Sequence, residues 1–177
     1  MLTLDAQRST LVVVDVQSKL VPVIDGGTAV VENVRRLVAA ANLLAVPVLF
    51  TEQNAARLGA TVAELPVNPT AVVHKMTFDS VRADGFLERL GADRVAIVAG
   101  CEAHVCVLQT VLSLIDAGRR VFVVRDAVGS RRSESKETAL RRMEQHGADV
   151  VTTEMVVFEW LETAEHPRFR ETVALIK

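Results

Sequence analysis

The sequence predicts an α/β protein with a doubly wound, mainly parallel six-stranded sheet and helices on both faces. Two patterns support this prediction: stretches with helical periodicity alternate with short β-branched runs, and glycine or proline stands at the joints. Right-handed crossovers between parallel strands place helices on both faces of such a sheet. At 177 residues, one domain covering residues 1–177 is the expected organisation.

The first half of the chain predicts three strands. Residues 9–15 form a continuous apolar run that ends in a charge, which is typical of a strand buried on both faces. A helix over residues 29–45 has apolar side chains at the spacing of one helix face, and it leads into a second strand at residues 46–51. A long loop or irregular helix over residues 53–68 precedes a short third strand at residues 71–75.

The second half repeats one arrangement three times, in which a glycine ends a helix and a strand follows. These repeats cover residues 90–100, 117–125 and 146–152. The tail over residues 154–177 is predicted to be helical, with a break at Pro167.

Composition limits the classes of partner. A net charge of −2 and a pI near 6.1, without a basic stripe, argue against nucleic acid. No apolar run approaches the roughly 20 residues that cross a bilayer, so no membrane is expected. The N-terminus lacks the features of a secretory signal, which predicts a cytoplasmic location. Half of the residues are hydrophobic, which favours a homo-oligomer, either a dimer or a larger assembly.

Candidate catalytic residues follow from the position of the strand ends, because doubly wound sheets bind ligands beyond the carboxyl ends of their strands. Asp15 ends the first strand, Lys75 ends the third, and Cys106 follows the fourth at the start of a helix predicted over residues 107–117. At a helix start, the dipole should lower the pKa of the Cys106 thiol below about 8.5. Asp15 could then act as general base and acid, and Lys75 would stabilise both anions.

Each of these residues also fits a structural role when it is taken alone. Buried cysteines are commonly inert, and an acid at a strand end is often a hydrogen-bond acceptor. His104 is two residues from Cys106 and therefore points to another helix face, which favours a structural role. As substrate contacts we predict the side chains near the same edge, which are Gln17, Gln53, Phe78 and Glu102.

Three segments resemble the signature segments of the isochorismatase-like cysteine hydrolases. They are residues 11–17, Lys75 after a short apolar strand, and residues 100–110, which read Gly-Cys-Glu-Ala-His-Val-Cys-Val-Leu-Gln-Thr. Residues 51–53, 125–131 and 152–155 add similarity to the subgroup named isochorismatase domain-containing proteins. The resemblance covers most of the chain, and the glycine-to-cysteine segment is its most specific part.

The resemblance implies the strand order 3-2-1-4-5-6 and a catalytic triad of Asp15, Lys75 and Cys106. It selects Cys106 over Cys101 as nucleophile. It also implies a cis peptide bond between Cys101 and Glu102, with the N–H groups of Glu102 and Cys106 forming an oxyanion hole.

The same resemblance limits the substrate. Nicotinamidases of this superfamily carry an Asp-x-His metal motif after the second strand, but residues 51–57 read Thr-Glu-Gln-Asn-Ala-Ala-Arg. No metal and no cofactor are therefore expected. The nucleophilic cysteine argues against the vinyl-ether cleavage of true isochorismatases.

The leading hypothesis is a metal-independent cysteine hydrolase that acts on a small molecule with an amide or related C–N bond. The alternative is a catalytically weak, redox-responsive or scaffolding member of the same fold. A nucleotide-binding domain is disfavoured, because no glycine-rich phosphate loop follows the first strand.

Overall fold

A single six-stranded sheet organises the protein, whose computed structural model describes residues 2–177. The strand order is β3-β2-β1-β4-β5-β6, and each neighbouring pair of strands is parallel. Both the predicted order and the α/β class are confirmed. The strands are β1 Ser9–Val14, β2 Val48–Gln53, β3 Val72–Lys75, β4 Val95–Cys101, β5 Val121–Gly129 and β6 Asp149–Val151.

Helices connect these strands and cover both faces of the sheet. They are α1 Gly27–Leu43, α2 Ala55–Leu58, α3 Phe86–Leu90, α4 Leu108–Asp116, α5 Ser133–Gln145, α6 Thr153–Leu161 and α7 Phe169–Val173. No helix within residues 2–177 has the length and apolar character needed to span a bilayer.

Two hydrophobic clusters, one on each face, hold the layers together, and β1 contributes to both. Successive side chains of a strand point to opposite faces, so Leu11 and Val13 pack with α1 and α6, whereas Val12 and Val14 pack with α3, α4 and α5. All four of these side chains are buried. Burial on both faces explains why β1 is a continuous apolar run in the sequence.

Several element boundaries differ from the sequence prediction. The helix expected at residue 107 is preceded by a π-helical turn, Ala103–Val107, which runs directly into α4. Strand β5 extends to Gly129 rather than ending near residue 125, and the loop over residues 53–68 contains the short helix α2. The tail is broken at Pro167 as predicted, between α6 and α7.

The residue before the β4 carboxyl end must be glycine. Gly100 has φ +120°, a conformation that L side chains rarely adopt, and a Cβ there would collide with the carbonyl oxygen of Val14. This close approach brings β1 and β4 together at the point where the strand order reverses, which is where such sheets bind ligands.

Substituting alanine at Gly100 is therefore expected to destabilise the fold strongly. The backbone conformation alone should cost about 1–3 kcal/mol, and the collision with β1 adds to that cost. Gly118→Ala is a matched control, because Gly118 has φ +73° but open space around its Cβ position. Chemical denaturation of both variants checks the prediction, and equal losses of stability would contradict it.

Candidate active site

Three side chains from separate elements meet beyond the carboxyl ends of β1, β3 and β4. Asp15 follows β1, Lys75 is the last residue of β3, and Cys106 lies in the π-helical turn after β4. The Lys75 Nζ lies 2.6 Å from the Asp15 Oδ2, and the Cys106 thiol lies close enough to Asp15 for the carboxylate to raise its pKa. All three residues are buried.

Asp15 is held in an uncommon backbone conformation. Its φ is +48°, which lies in the left-handed region, and its N–H donates to the Thr51 carbonyl at 3.1 Å. The Thr51 hydroxyl in turn donates to Asp15 Oδ1 at 2.6 Å. With Lys75 on the other oxygen, the carboxylate has a fixed orientation toward the thiol.

Lys75 has an acceptor for each of its three N–H donors. Besides Asp15, its Nζ donates to the carbonyl oxygens of Thr77 at 3.2 Å and Phe78 at 3.1 Å. The ammonium group is 1% exposed, so these contacts replace its hydration. Its charge is therefore fixed beside Asp15 and Cys106.

The environment of Cys106 differs from the one expected at a helix start. Burial raises the pKa of the Cys106 thiol well above its ordinary value, and the negative charge of Asp15 raises it further. The charge of Lys75 acts in the opposite direction but does not compensate. The predicted lowering of the pKa is wrong, because burial and Asp15 outweigh any effect of the helix dipole. A raised pKa favours the protonated form of the thiol.

The raised pKa predicts an unusual pH dependence of alkylation at Cys106. A higher pKa leaves less thiolate at a given pH, so the alkylation rate should still be rising above pH ~8.5, where ordinary thiols are half ionised. The rate constant for iodoacetamide, followed by peptide mapping from pH 6 to pH 10, checks this expectation. Free cysteine serves as the control, and a rate for Cys106 that levels off below pH ~7 would contradict it.

The backbone at Glu102 has one feature that the resemblance implies, and the oxyanion hole stays a prediction. The Cys101–Glu102 peptide bond is cis. The Glu102 carbonyl accepts from the N–H groups of Val105 at 3.0 Å and Val107 at 3.2 Å, whereas the Cys106 N–H between them makes no bond to it. The π-helical turn thus changes the hydrogen-bond pattern next to the candidate nucleophile.

The Glu102 side chain, which was predicted to contact substrate, has Arg131 as its partner. Its carboxylate accepts from the Arg131 N–H at 3.1 Å and from the Arg131 Nε at 3.0 Å. The Glu102 carboxylate thus forms an ion pair with Arg131, and its contact with substrate stays a prediction.

Gln17 has a structural position. Its side chain is fully buried, and its amide nitrogen donates to the carbonyl oxygens of Gln53 and Gly59 at 3.0 and 2.6 Å. Its amide oxygen accepts from the Gln53 N–H. The structure does not support a substrate contact for Gln17, because every contact of its amide ties the loop after β2 to β1.

Gln53 and Phe78 both lie near Lys75, but the Gln53 side chain is hydrogen-bonded whereas the Phe78 side chain is half-exposed. The Gln53 side chain donates a hydrogen bond to the Met76 carbonyl. Phe78, three residues after Lys75, is half-exposed. Phe78 is 50% exposed and Met76 is 71% exposed. Both apolar side chains are thus exposed close to Lys75 in the sequence, and the substrate contacts of Gln53 and Phe78 stay predictions.

The two other residues considered from the sequence have structural surroundings. Cys101 is fully buried, and burial raises the pKa of its thiol to about 12. His104 Nδ1 lies 3.0 Å from the Ser130 hydroxyl, on the α5 side of the turn. Within residues 2–177, no three His, Cys, Asp or Glu side chains are placed to hold a metal ion together.

Sequence reasoning missed two residues that contact the site. Thr51 orients Asp15, and Arg131 pairs with Glu102. Thr51 could have been found, because parallel pairing places it beside Val14, next to Asp15, at the same edge of the sheet. Arg131 could not, because its contact depends on the path of the chain after β5.

These features define a doubly wound α/β protein whose candidate active site lies at the reversal of strand order. The family model for the isochorismatase domain matches residues 9–155. The chain therefore belongs to the isochorismatase family and has its hydrolase fold.

Relatives and solved structures agree with this family. "Isochorismatase domain-containing protein 2" of Danio rerio is 35% identical and is matched over 98% of this chain and 89% of its own length. "Secreted isochorismatase effector Isc1" of Phytophthora sojae is 34% identical, over 96% of this chain and 84% of its own.

Two solved structures share the whole fold. One, described as a MAR1 ribonuclease from Caenorhabditis elegans, has a TM-score of 0.92 and 34% identity, and covers 98% of this chain and 92% of its own. The other is the YcaC gene product of Escherichia coli, described as an octameric hydrolase of unknown specificity. It has a TM-score of 0.87 and 26% identity, and covers 99% of this chain and 88% of its own.

Proposed function

We propose that this protein is a metal-independent cysteine hydrolase that cleaves a small amide or related C–N bond through a thioester on Cys106. One observation carries the proposal: the Cys106 thiol lies beside Asp15, which is itself paired with Lys75, at the edge of the sheet where doubly wound folds bind ligands. Covalent catalysis requires a nucleophile beside a base, and a third group that orients the base.

The first half of the reaction forms the thioester. As the sulfur attacks the carbonyl carbon, the thiol proton moves to Asp15 and the carbonyl oxygen becomes an oxyanion. The N–H groups of Glu102 and Cys106 stabilise this oxyanion. The intermediate then collapses, the C–N bond breaks, and the leaving amine takes the proton from Asp15.

The second half releases the acid. Water gives a proton to Asp15 and attacks the thioester carbon. When the C–S bond breaks, the proton returns from Asp15 to the Cys106 sulfur, which restores the resting site. Lys75 keeps its charge throughout and stabilises the negative charge that moves between Asp15 and Cys106.

The raised pKa of Cys106 weakens the redox-responsive alternative. Thiols that are readily oxidised have low pKa values and exposed sulfurs, whereas Cys106 has a raised pKa and is 7% exposed. A buried thiol that loses its proton only during attack is better suited to acyl transfer.

We also propose that the protein works as a homo-oligomer of cytoplasmic location, and that residues 1–177 form one domain. The exposed apolar side chains Met76 and Phe78 beside the site are suited to cover by another subunit. The octameric neighbour from Escherichia coli is consistent with such an assembly. In this proposal Gln53 and Phe78 border the substrate.

A panel of small amides, with ammonia or amine release as the readout, tests the proposed function. The native protein should hydrolyse at least one member, and Cys106→Ala should hydrolyse none. An RNA oligonucleotide belongs in the panel because one structural neighbour is described as a ribonuclease. Cleavage of RNA without cleavage of any amide would contradict the proposal.

A further inference from the structure

We propose that Thr110 and Ser113 of α4 are positioning residues that fix the location of the Lys75 ammonium group. They do so through the lysine loop, defined as residues 76–80, which follows β3 and is hydrogen-bonded to α4. This inference rests on the proposed function, because it assigns the loop a role in the reaction at Cys106.

The lysine loop supplies two of the three acceptors of Lys75. These are the carbonyl oxygens of Thr77 and Phe78, at 3.2 and 3.1 Å from Nζ. The Thr77 hydroxyl donates to the Asp79 carbonyl at 2.8 Å, which fixes the turn between them. The position of the ammonium group therefore depends on where this loop is held.

Two hydroxyl groups of α4 hold the far end of the loop. The Ser113 hydroxyl donates to the Asp79 carboxylate at 2.7 Å. The Thr110 hydroxyl accepts from the Ser80 N–H at 2.9 Å and lies 3.0 Å from the Ser80 hydroxyl. Ser80 and Thr110 are fully buried, so water does not compete for the bonds between them, whereas the bond from Ser113 to Asp79 is half-buried.

The same helical segment carries the candidate nucleophile. Thr110 and Ser113 follow Cys106 by four and seven residues, the spacing of one helix face. Hydrogen bonds therefore link α4 to the lysine loop, the loop to Lys75, and Lys75 to Asp15. Asp15 in turn lies beside Cys106, in the turn that runs into α4. This series of contacts keeps the Lys75 charge at a fixed distance from the thiol.

A purely structural explanation accounts for only part of this network. Asp79 also accepts from the Val81 N–H, which caps the short turn after the loop, and pairs with the exposed Arg82. That cap needs neither hydroxyl of α4. Removing the two hydroxyls should therefore leave the cap intact and test only the positioning role.

A pair of double variants tests the inference. Thr110→Val with Ser113→Ala removes both hydroxyls, whereas Thr110→Ser with Ser113→Thr keeps them. The first should slow iodoacetamide labelling of Cys106. It should also lower kcat by about ten-fold, because the loop that holds Lys75 loses its hydrogen bonds to α4, and leave KM almost unchanged. The second should stay within about two-fold of the native protein.

Arg82→Ala provides a matched control, because Arg82 contacts the same carboxylate but its side chain is 75% exposed. It should leave labelling and kcat unchanged. Thermal unfolding reports loss of folded protein separately, and rates are compared at a temperature where every variant is folded.

Two results would overturn the inference, and they are distinguishable from each other. Labelling of Cys106 at the native rate or faster in the variant without hydroxyls would contradict the positioning role and leave the proposed nucleophile standing. Absence of Cys106 labelling in the native protein itself would contradict the proposed function, and the inference with it.

Discussion

Lys75→Met is expected to lower the free energy of unfolding by about 3–5 kcal/mol, the usual cost of removing one partner from a buried ion pair. Asp15 and the Lys75 side chain are 0% and 1% exposed. Without the ammonium group, the Asp15 carboxylate would remain buried with the Thr51 hydroxyl on Oδ1 and without its cation on Oδ2. Urea denaturation at neutral pH measures the loss.

The matched control is the double variant Asp15→Asn with Lys75→Met. The asparagine oxygen can still accept from the Thr51 hydroxyl, and no unpaired charge is left in the interior. This variant should recover a large part of the stability that Lys75→Met loses, because the cost comes from the uncompensated charge. A double variant less stable than Lys75→Met would show that the pair contributes mainly through packing.

Asp15→Asn alone is expected to reduce kcat by about 10³-fold on any amide that the native protein hydrolyses, within the range found for general acid–base groups. The asparagine keeps the shape of the side chain but cannot accept the Cys106 proton. Steady-state kinetics with the best substrate of the amide panel measures the effect.

Asn33→Ala is a suitable control for that measurement, because Asn33 lies on α1 and donates to the Asp126 carbonyl, away from Cys106. Its kcat should match that of the native protein. Retention of substantial activity by Asp15→Asn would mean that another group takes the thiol proton, which contradicts the assigned role.

The fold could be predicted in detail because its signals are local. The apolar run of β1 and the helix-glycine-strand pattern each occupy a few consecutive residues, and the family resemblance supplied the strand order. The boundaries shifted where tertiary contacts decide them. The π-helical turn at Ala103–Val107 is one example, since the sequence there reads as an ordinary helix start.

The candidate site was only partly predictable. The side chains of Asp15, Lys75 and Cys106 meet at one edge of the sheet because parallel strands end there together. The direction of the Cys106 pKa shift could not be read from the helix start, because it depends on burial and on the distance to Asp15. Gln17 likewise looked available for substrate until its amide was found bonded to the backbone of Gln53 and Gly59.

The central claim is that Cys106 forms a thioester with the acyl part of a small amide, and a trapped acyl-enzyme tests it most directly. The native protein is mixed with an active member of the amide panel, quenched in acid within the first turnover, and analysed by intact mass and peptide mapping. We predict an added mass equal to the acyl group on the peptide containing Cys106, absent from Cys106→Ala. Turnover without any acyl adduct, or an adduct on Cys101 instead, would contradict the account.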